Sequence, residues 1–158
     1  MIVSDLAPFF DIEAPLHGID TGPSWRRRAG RRKPTLGTGV FTFDLAGLTH
    51  LTDRFRDAPD ASFDEFQLEQ CFVERHVPDW QAWPDDWVVS FKRHLCRPIG
   101  LDIFQPPRKP DPNARIVAFH GDPRPADIAG RHGVWTHFPH SIRCPVDWLD
   151  AYWARYGD

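Results

Sequence analysis

Short apolar runs occur at intervals along the chain and predict its strands. Val40 and Thr42 alternate with Phe41 and Phe43, and a period of two is typical of a half-buried strand. Other brief apolar runs predict buried strands, one of them at residues 116–119. The predicted strands lie near residues 1, 40, 88 and 117, and we expect them to form one mixed sheet.

Helical patterns separate these runs. Residues 45–55 space Leu48, Leu51 and Phe55 as one face of a helix requires. Residues 64–74 and 146–155 predict two further helices, the last with Pro145 at its first turn. Because strands and helices alternate, the sequence predicts an α/β class in which the mixed sheet is flanked by helices.

The segments between these elements are predicted to be loops, and one of them is rich in proline. Residues 97–113 contain five of the 16 prolines, which excludes a long helix there and predicts an extended surface connection. Residues 11–34 are predicted to form a loop. His132, His137 and His140 are irregularly spaced, so they suggest loop histidines rather than a metal pair at helical spacing.

Composition limits the function classes. The 158 residues predict a single domain, and 41% hydrophobic with 26% charged residues is typical of a globular protein. The net charge of −3 argues against a general polyanion binder. No apolar run reaches the roughly 20 residues of a membrane span. Three cysteines without a C-x-x-C spacing predict reduced thiols and a cytoplasmic location.

One strongly basic segment stands out against this background. Residues 26–33 contain six Arg or Lys residues in eight positions. Such a run could contact nucleic acid, but it lacks interleaved aromatic residues and a recognisable nucleic-acid-binding pattern. A solvated loop, or one that folds over an anionic ligand, is the preferred interpretation, and no specific nucleic-acid partner is expected.

The stretch at residues 115–125, R-I-V-A-F-H-G-D-P-R-P, carries the candidate chemistry. Its strand ends at His120 and Gly121, and Arg124 follows in a loop held extended by two prolines. A glycine allows close backbone approach to a ligand, and an arginine can bind phosphate through paired hydrogen bonds. The alternative is a strand end with a solvated histidine and arginine.

This stretch resembles the H-F-x-G-x-x-K-P-W signature of retaining GT-A glycosyltransferases, the glycogenin and bacterial galactosyltransferase group. It is closer still to the F-H-G-x-P-K-P of bacterial glycosyltransferase-like proteins. Gly121, Arg124 and Pro125 match the Gly, Lys and Pro of that pattern. The metal-binding histidine of the family would fall at Ala118, two residues before His120, and residues two apart share a face of a strand.

Further motifs follow in the family's order and imply further roles. Residues 88–92, V-V-S-F-K, resemble W-x-x-S-[YF]-K, whose lysine approaches the donor, and this implies donor binding by Lys92. Residues 63–68 resemble D-[QE]-x-x-[LF], whose acidic residue faces the reacting sugar carbon, and this implies a catalytic role for Asp64. A helix beginning near Phe63, with Asp64 near its N-terminus, is the structural alternative. Gly37 replaces an asparagine of the family.

The resemblance implies a partial GT-A-like fold that uses a nucleotide-sugar donor, a glycan or other acceptor, and manganese or magnesium with His120 as a ligand. Residues 1–10 resemble the segment that directly follows the family's D-x-D motif, so the resemblance implies an N-terminally truncated domain. Because the D-x-D aspartates hold the metal, we expect this chain alone to be weak or inactive as a transferase. A degenerate, non-catalytic binding domain is the alternative, and a nucleic-acid-associated module that uses residues 26–33 is a third.

Overall fold

A computed structural model describes residues 1–158 except 12, 22–34, 130–133, 138–139 and 158. The described chain is mixed α/β and divides into two compact units. The N-terminal unit is Asp5–Asp85, and the C-terminal unit combines Met1–Ser4 with Asp86–Asp158. The single domain expected from chain length stays a prediction.

A three-stranded sheet forms the centre of the N-terminal unit. Its strands are β1 (Leu16–Asp20), β2 (Leu36–Phe43) and β3 (Gln81–Ala82), in the order β2-β1-β3. β1 runs antiparallel to β2 and parallel to β3. A Cβ added at Gly37 would overlap the side chain of Thr21, so the close packing of β1 and β2 explains this glycine.

Three short helices follow β2. They are α1 (Thr49–Asp57), α2 (Pro59–Glu65) and α3 (Glu69–His76). α2 begins at a proline, whose missing N–H costs nothing in the first turn of a helix. It ends because Phe66 is extended, with φ −119° and ψ 116°. This break separates α2 from α3.

Two groups of buried side chains hold the N-terminal unit together. The first is aliphatic and consists of Leu16, Leu36, Leu48 and Val77. In the second, the ring of Trp83 meets Phe9 edge-on at 4.5 Å and stacks on His17 at 4.8 Å between centroids. Burial of His17 lowers the pKa of its imidazole, although a side-chain hydrogen bond with Gln81 opposes this effect.

A parallel strand pair organises the C-terminal unit. β4 (Val88–Ser90) pairs with β5 (Ile116–Ala118), and Ser90 lies opposite Ala118. The first residues of the chain pair with the other side of β5, because Val117 N–H donates to Met1 O at 2.8 Å and Val3 N–H donates to Arg115 O at 2.8 Å. The predicted strands near residues 1, 88 and 117 therefore do pair.

The rest of this unit packs around that pair. It contains α4 (Pro125–Ile128), the antiparallel hairpin of β6 (Trp135–His137) and β7 (His140–Ile142), and α5 (Asp147–Tyr156). Its buried cluster consists of Val89, Phe91, Leu95, Cys96, Ala114, Val117, Ile128, Ala129, Ile142, Val146 and Leu149. Among the described residues, no helix has the length and apolar character that a membrane crossing requires.

Several sequence-based expectations need correction. The expected single mixed sheet is wrong, because the described strands form three small sheets and the strand at Val40 belongs to a different sheet from β4 and β5. The expected helix at residues 64–74 is wrong, because residues 66–68 are not helical and separate α2 from α3. The expected loop at residues 11–34 contains β1 in its described part, and two of the three predicted loop histidines lie in β6 and β7. The helix predicted at 146–155 is confirmed as α5.

The buried ring of Phe91 generates a prediction about stability. Phe91 is 0% exposed and stacks on Phe119 with 4.6 Å between ring centroids. We expect Phe91→Ala to lower the free energy of unfolding by about 3–5 kcal/mol, because it removes buried apolar surface and leaves a cavity. Urea denaturation followed by tryptophan fluorescence measures the loss. The control is Phe104→Ala, whose ring is 76% exposed, with an expected change within about 0.5 kcal/mol. Equal effects of the two substitutions would contradict the core assignment.

Candidate functional site

The carboxyl ends of β4 and β5 bring four basic side chains to one edge of the strand pair. Because the strands are parallel and Ser90 lies opposite Ala118, the segments that follow them leave from the same edge. Lys92, Arg93 and His94 follow β4, and His120 follows β5. We call these four residues the basic cluster.

A π-helical turn presents the first three of them. The turn spans Phe91–Leu95, and Cys96 N–H donates to Phe91 O at 2.9 Å across five residues. Phe91 and Leu95 point into the core, at 0% and 5% exposure, so the residues between them face outward. Single π-helical turns occur frequently at functional sites.

The ring of His94 is fixed in one tautomer. The backbone N–H of the buried Ser90 donates to His94 Nδ1 at 2.7 Å, so this nitrogen must carry a lone pair. The proton of the neutral ring therefore lies on Nε2. Ser90 also accepts a hydrogen bond from Arg93 N–H through its Oγ at 3.4 Å, which helps to hold the turn.

The pKa of His120 is shifted by the other residues of the basic cluster. Burial lowers the pKa of its imidazole, and the positive charges of Arg93 and Lys92, together with His94, lower it further. Within the described part of the chain, the side chains of Lys92, Arg93 and His120 make no ion pair with a carboxylate. Lys92 and Arg93 therefore hold positive charge beside His120 that no carboxylate of the described residues pairs with, and this arrangement suits an anion.

Two other predicted site residues lie just beyond β5. Gly121 has φ +67°, a left-handed conformation that favours glycine, and a Cβ there would meet no other atom within 4 Å. Arg124 is exposed, and its backbone N–H donates to Asp127 Oδ2 at 2.8 Å at the start of α4. Arg124 is not among the charges that shift the pKa of His120. Lys92 and His120 are thus brought together, whereas Arg124 is not shown to join them.

The surroundings of His120 do not suit a divalent metal. Lys92 and Arg93 would repel a cation, and manganese and magnesium prefer carboxylate and other oxygen ligands. Among the described residues, no group of three or more His, Cys, Asp or Glu side chains could hold a metal. The metal role of His120 implied by the resemblance stays a prediction.

Asp64 belongs to the N-terminal unit, whereas the basic cluster belongs to the C-terminal unit. It is exposed and is the last residue but one of α2, so the expected helix start near Phe63, with Asp64 at the N-terminus, is wrong. The helix starts earlier because Pro59 opens its first turn. The structure does not bear on the catalytic role predicted for Asp64.

Sequence reasoning missed Arg93 and His94. A run of three basic residues directly after a buried strand, Lys92-Arg93-His94, was the signal that could have identified them. The basic segment at residues 26–33 lies outside the described residues.

A second polar group in the C-terminal unit is structural. The carboxylate of Asp102 is 1% exposed and accepts hydrogen bonds from Gly100 N–H at 2.9 Å, Ser141 N–H at 3.0 Å and His140 Nδ1 at 2.9 Å. Gly100 has φ +91°, which glycine adopts readily. Burial alone would raise the pKa of Asp102, but the hydrogen bonds from Ser141, His140 and Gly100 outweigh it and lower that pKa.

Comparison with family models, with curated proteins and with solved structures gives no match. The chemistry of the basic cluster is therefore inferred from its own residues. Lys92 and Arg93 are permanent cations. The imidazole of His94 can donate from Nε2, and that of His120 can gain a proton.

Asp102→Asn should destabilise the protein in a pH-dependent way. At neutral pH we expect a loss of about 2–3 kcal/mol, because the amide cannot accept from all three donors. The folded-state pKa of Asp102 lies below the ordinary 3.8, so its contribution is present above that pH and is lost as pH falls through the folded-state pKa. Urea denaturation at several pH values should show the difference between parent and variant shrinking in acid. Asp111→Asn, at an exposed turn that keeps its acceptor, is the matched control. A difference that does not depend on pH would contradict this account.

Proposed function

We propose that the chain is a glycosyltransferase-like protein that binds the diphosphate of a nucleotide sugar at the basic cluster. The observation that carries the proposal is that Lys92 and Arg93 lie beside His120 at the shared edge of β4 and β5 and make no ion pair with a carboxylate of the described residues. Ligand sites at the carboxyl ends of parallel strands are common in α/β proteins. A cytoplasmic location and a partial GT-A-like architecture belong to the same proposal and rest on the sequence.

The four side chains offer complementary ways of holding phosphate. Arg93 can donate two parallel hydrogen bonds to one phosphate, and Lys92 acts as a compact point charge. His94 donates from Nε2, because its Nδ1 already accepts from Ser90. His120 can add a charge when an anion raises its pKa. Positive charge of this kind also stabilises a leaving diphosphate in sugar transfer.

The transfer step rests on the resemblance alone. The resemblance implies that Asp64 faces the reacting sugar carbon and that His120 binds the metal. The D-x-D motif of the family is missing from the sequence. We therefore propose that the chain binds a nucleotide sugar and turns it over weakly or not at all. A non-catalytic binding domain is the second candidate, and it shares the same phosphate site. Release of nucleoside diphosphate from a nucleotide sugar would show turnover and exclude the non-catalytic domain, with Asp64→Asn as the first control.

The phosphate site predicts binding of a nucleoside diphosphate. We expect uridine diphosphate to bind, and Lys92→Ala or Arg93→Ala to weaken binding about 10- to 100-fold, because each loses a charge-assisted hydrogen bond of about 1.5–3 kcal/mol. Isothermal titration calorimetry measures the dissociation constants. Arg108→Ala is the matched control, since Arg108 is an exposed cation of the same unit outside the cluster.

Three results would contradict this assignment. The first is the absence of binding by the parent chain. The second is a parent that binds while Lys92→Ala and Arg93→Ala bind equally well. The third is Arg108→Ala losing as much affinity as the cluster variants, which would indicate a response to overall charge alone.

His120 predicts that anion binding strengthens in acid. Its pKa lies below the ordinary 6.5, so the ring gains its proton as pH falls below that value, while Lys92 and Arg93 stay charged. Sulfate is a suitable probe because its charge is constant between about pH 5 and 8, where histidine titrates. We expect sulfate affinity to rise several-fold from neutral to acid pH in the parent and to stay nearly flat in His120→Gln. His50→Gln, in the N-terminal unit, should keep the parent's profile, and a parent profile without pH dependence would contradict a role for His120.

A further inference from the structure

A cavity of about 610 Å³ lies within the N-terminal unit. Its walls come from the 3-10 helix Ala7–Phe10, the end of β2, the start of α1 and the end of α3. Phe10 and Phe43 line it with 77% and 46% of their surface exposed. Two large aromatic rings left accessible beside a cavity are available to contact a ligand.

The charges that line this cavity have one sign. Three carboxylates belong to its lining, those of Glu13, Asp44 and Asp79, and none of the described lysines or arginines does. Within the described residues none of the three makes an ion pair. The cavity therefore carries negative charge that the described residues leave without a counter-ion.

The two histidines of the lining are not paired with its carboxylates. His50 Nδ1 lies 3.0 Å from Gly47 O and its Nε2 lies 3.4 Å from His76 O, and His76 Nδ1 donates to Phe72 O at 2.8 Å. Both rings thus bond to backbone carbonyls, and among the described residues neither makes an ion pair with a carboxylate of the cavity. A cation that enters the cavity would meet carboxylates that have no competing charged partner among the described residues.

We propose that this cavity binds a small organic ammonium ion, a primary or quaternary amine with an apolar body. The aromatic faces of Phe10 and Phe43 attract a cation through their quadrupoles and also cover its methyl or methylene groups. Glu13, Asp44 and Asp79 supply the opposite charge. An anionic ligand is excluded by like-charge repulsion, and a neutral sugar would leave the three carboxylates without a counter-charge. This site does not depend on the phosphate site of the C-terminal unit.

Choline and its neutral isostere 3,3-dimethylbutan-1-ol test the proposal, because the two probes differ in charge and hardly in shape. We expect choline to bind with a dissociation constant of about 1 mM or lower in low salt, and the isostere to bind at least about fivefold more weakly. Titrations followed by amide chemical shifts in NMR spectra give both affinities and locate the responding residues. Raising the salt concentration should weaken choline binding, since the charges are partly exposed.

Matched variants separate the charge from the aromatic surface. Asp44→Asn removes the charge but keeps the acceptor that Ala46 N–H uses at 3.1 Å, and Asp79→Asn removes the charge of a second lining carboxylate. We expect each to weaken choline binding about two- to fivefold and the pair to weaken it further. Phe43→Leu keeps an apolar side chain but removes the ring, with a similar expected loss. The controls are Asp60→Asn and Phe63→Leu, two exposed positions of α2 outside the cavity, with no expected change.

Four results would overturn the proposal. They are the absence of choline binding, equal binding of choline and its isostere, unchanged affinity in the Asp44→Asn and Asp79→Asn double variant, and shifts that map outside the cavity lining. Shifts produced there by a neutral disaccharide but not by choline would likewise replace the ammonium site with a sugar site.

Discussion

The parallel pairing of β4 with β5 is the contact on which the C-terminal unit depends. It buries Val89 and Val117 in one cluster with Phe91, and it fixes the edge from which the next residues leave. Since both strands are only three residues long, the anchoring of Phe91 and Leu95 directly after β4 decides where Lys92, Arg93 and His94 lie. The same packing that stabilises the unit therefore concentrates its cationic side chains.

Hydrogen bonds of buried polar groups fix the positions of two ionisable side chains in the C-terminal unit. Asp102 joins the turn around Gly100 to the β6–β7 hairpin through three hydrogen bonds, and a buried carboxylate is tolerated only when it is satisfied in this way. Ser90 N–H acts similarly on His94, because an amide that needs an acceptor selects the ring tautomer. Backbone donors thus set the state of two ionisable side chains, one for stability and one at the candidate site.

The two units carry opposite local charge, although the whole chain has a net charge of only −3. The N-terminal unit lines its cavity with carboxylates and exposed phenylalanine rings, and the C-terminal unit gathers cations at its strand ends. Among the described residues, neither Lys92 and Arg93 nor the carboxylates of the cavity make ion pairs, so each set can attract a ligand of opposite charge.

The sequence by itself determined the α/β class, the strand at residues 116–118, the strand at Val40 and the final helix, because hydrophobic periodicity and proline act locally. It also indicated His120 and Gly121 as candidates through their position after an apolar run, and Lys92 through the resemblance of residues 88–92 to a family motif. It could not determine that the strands divide among three sheets, since pairing depends on contacts distant in the chain. Tertiary structure alone decided that Arg93 and His94 join His120, and that residues from four segments enclose the acidic cavity. The physical reason is that a local pattern fixes which face a side chain takes, whereas its neighbours across the fold are chosen by packing.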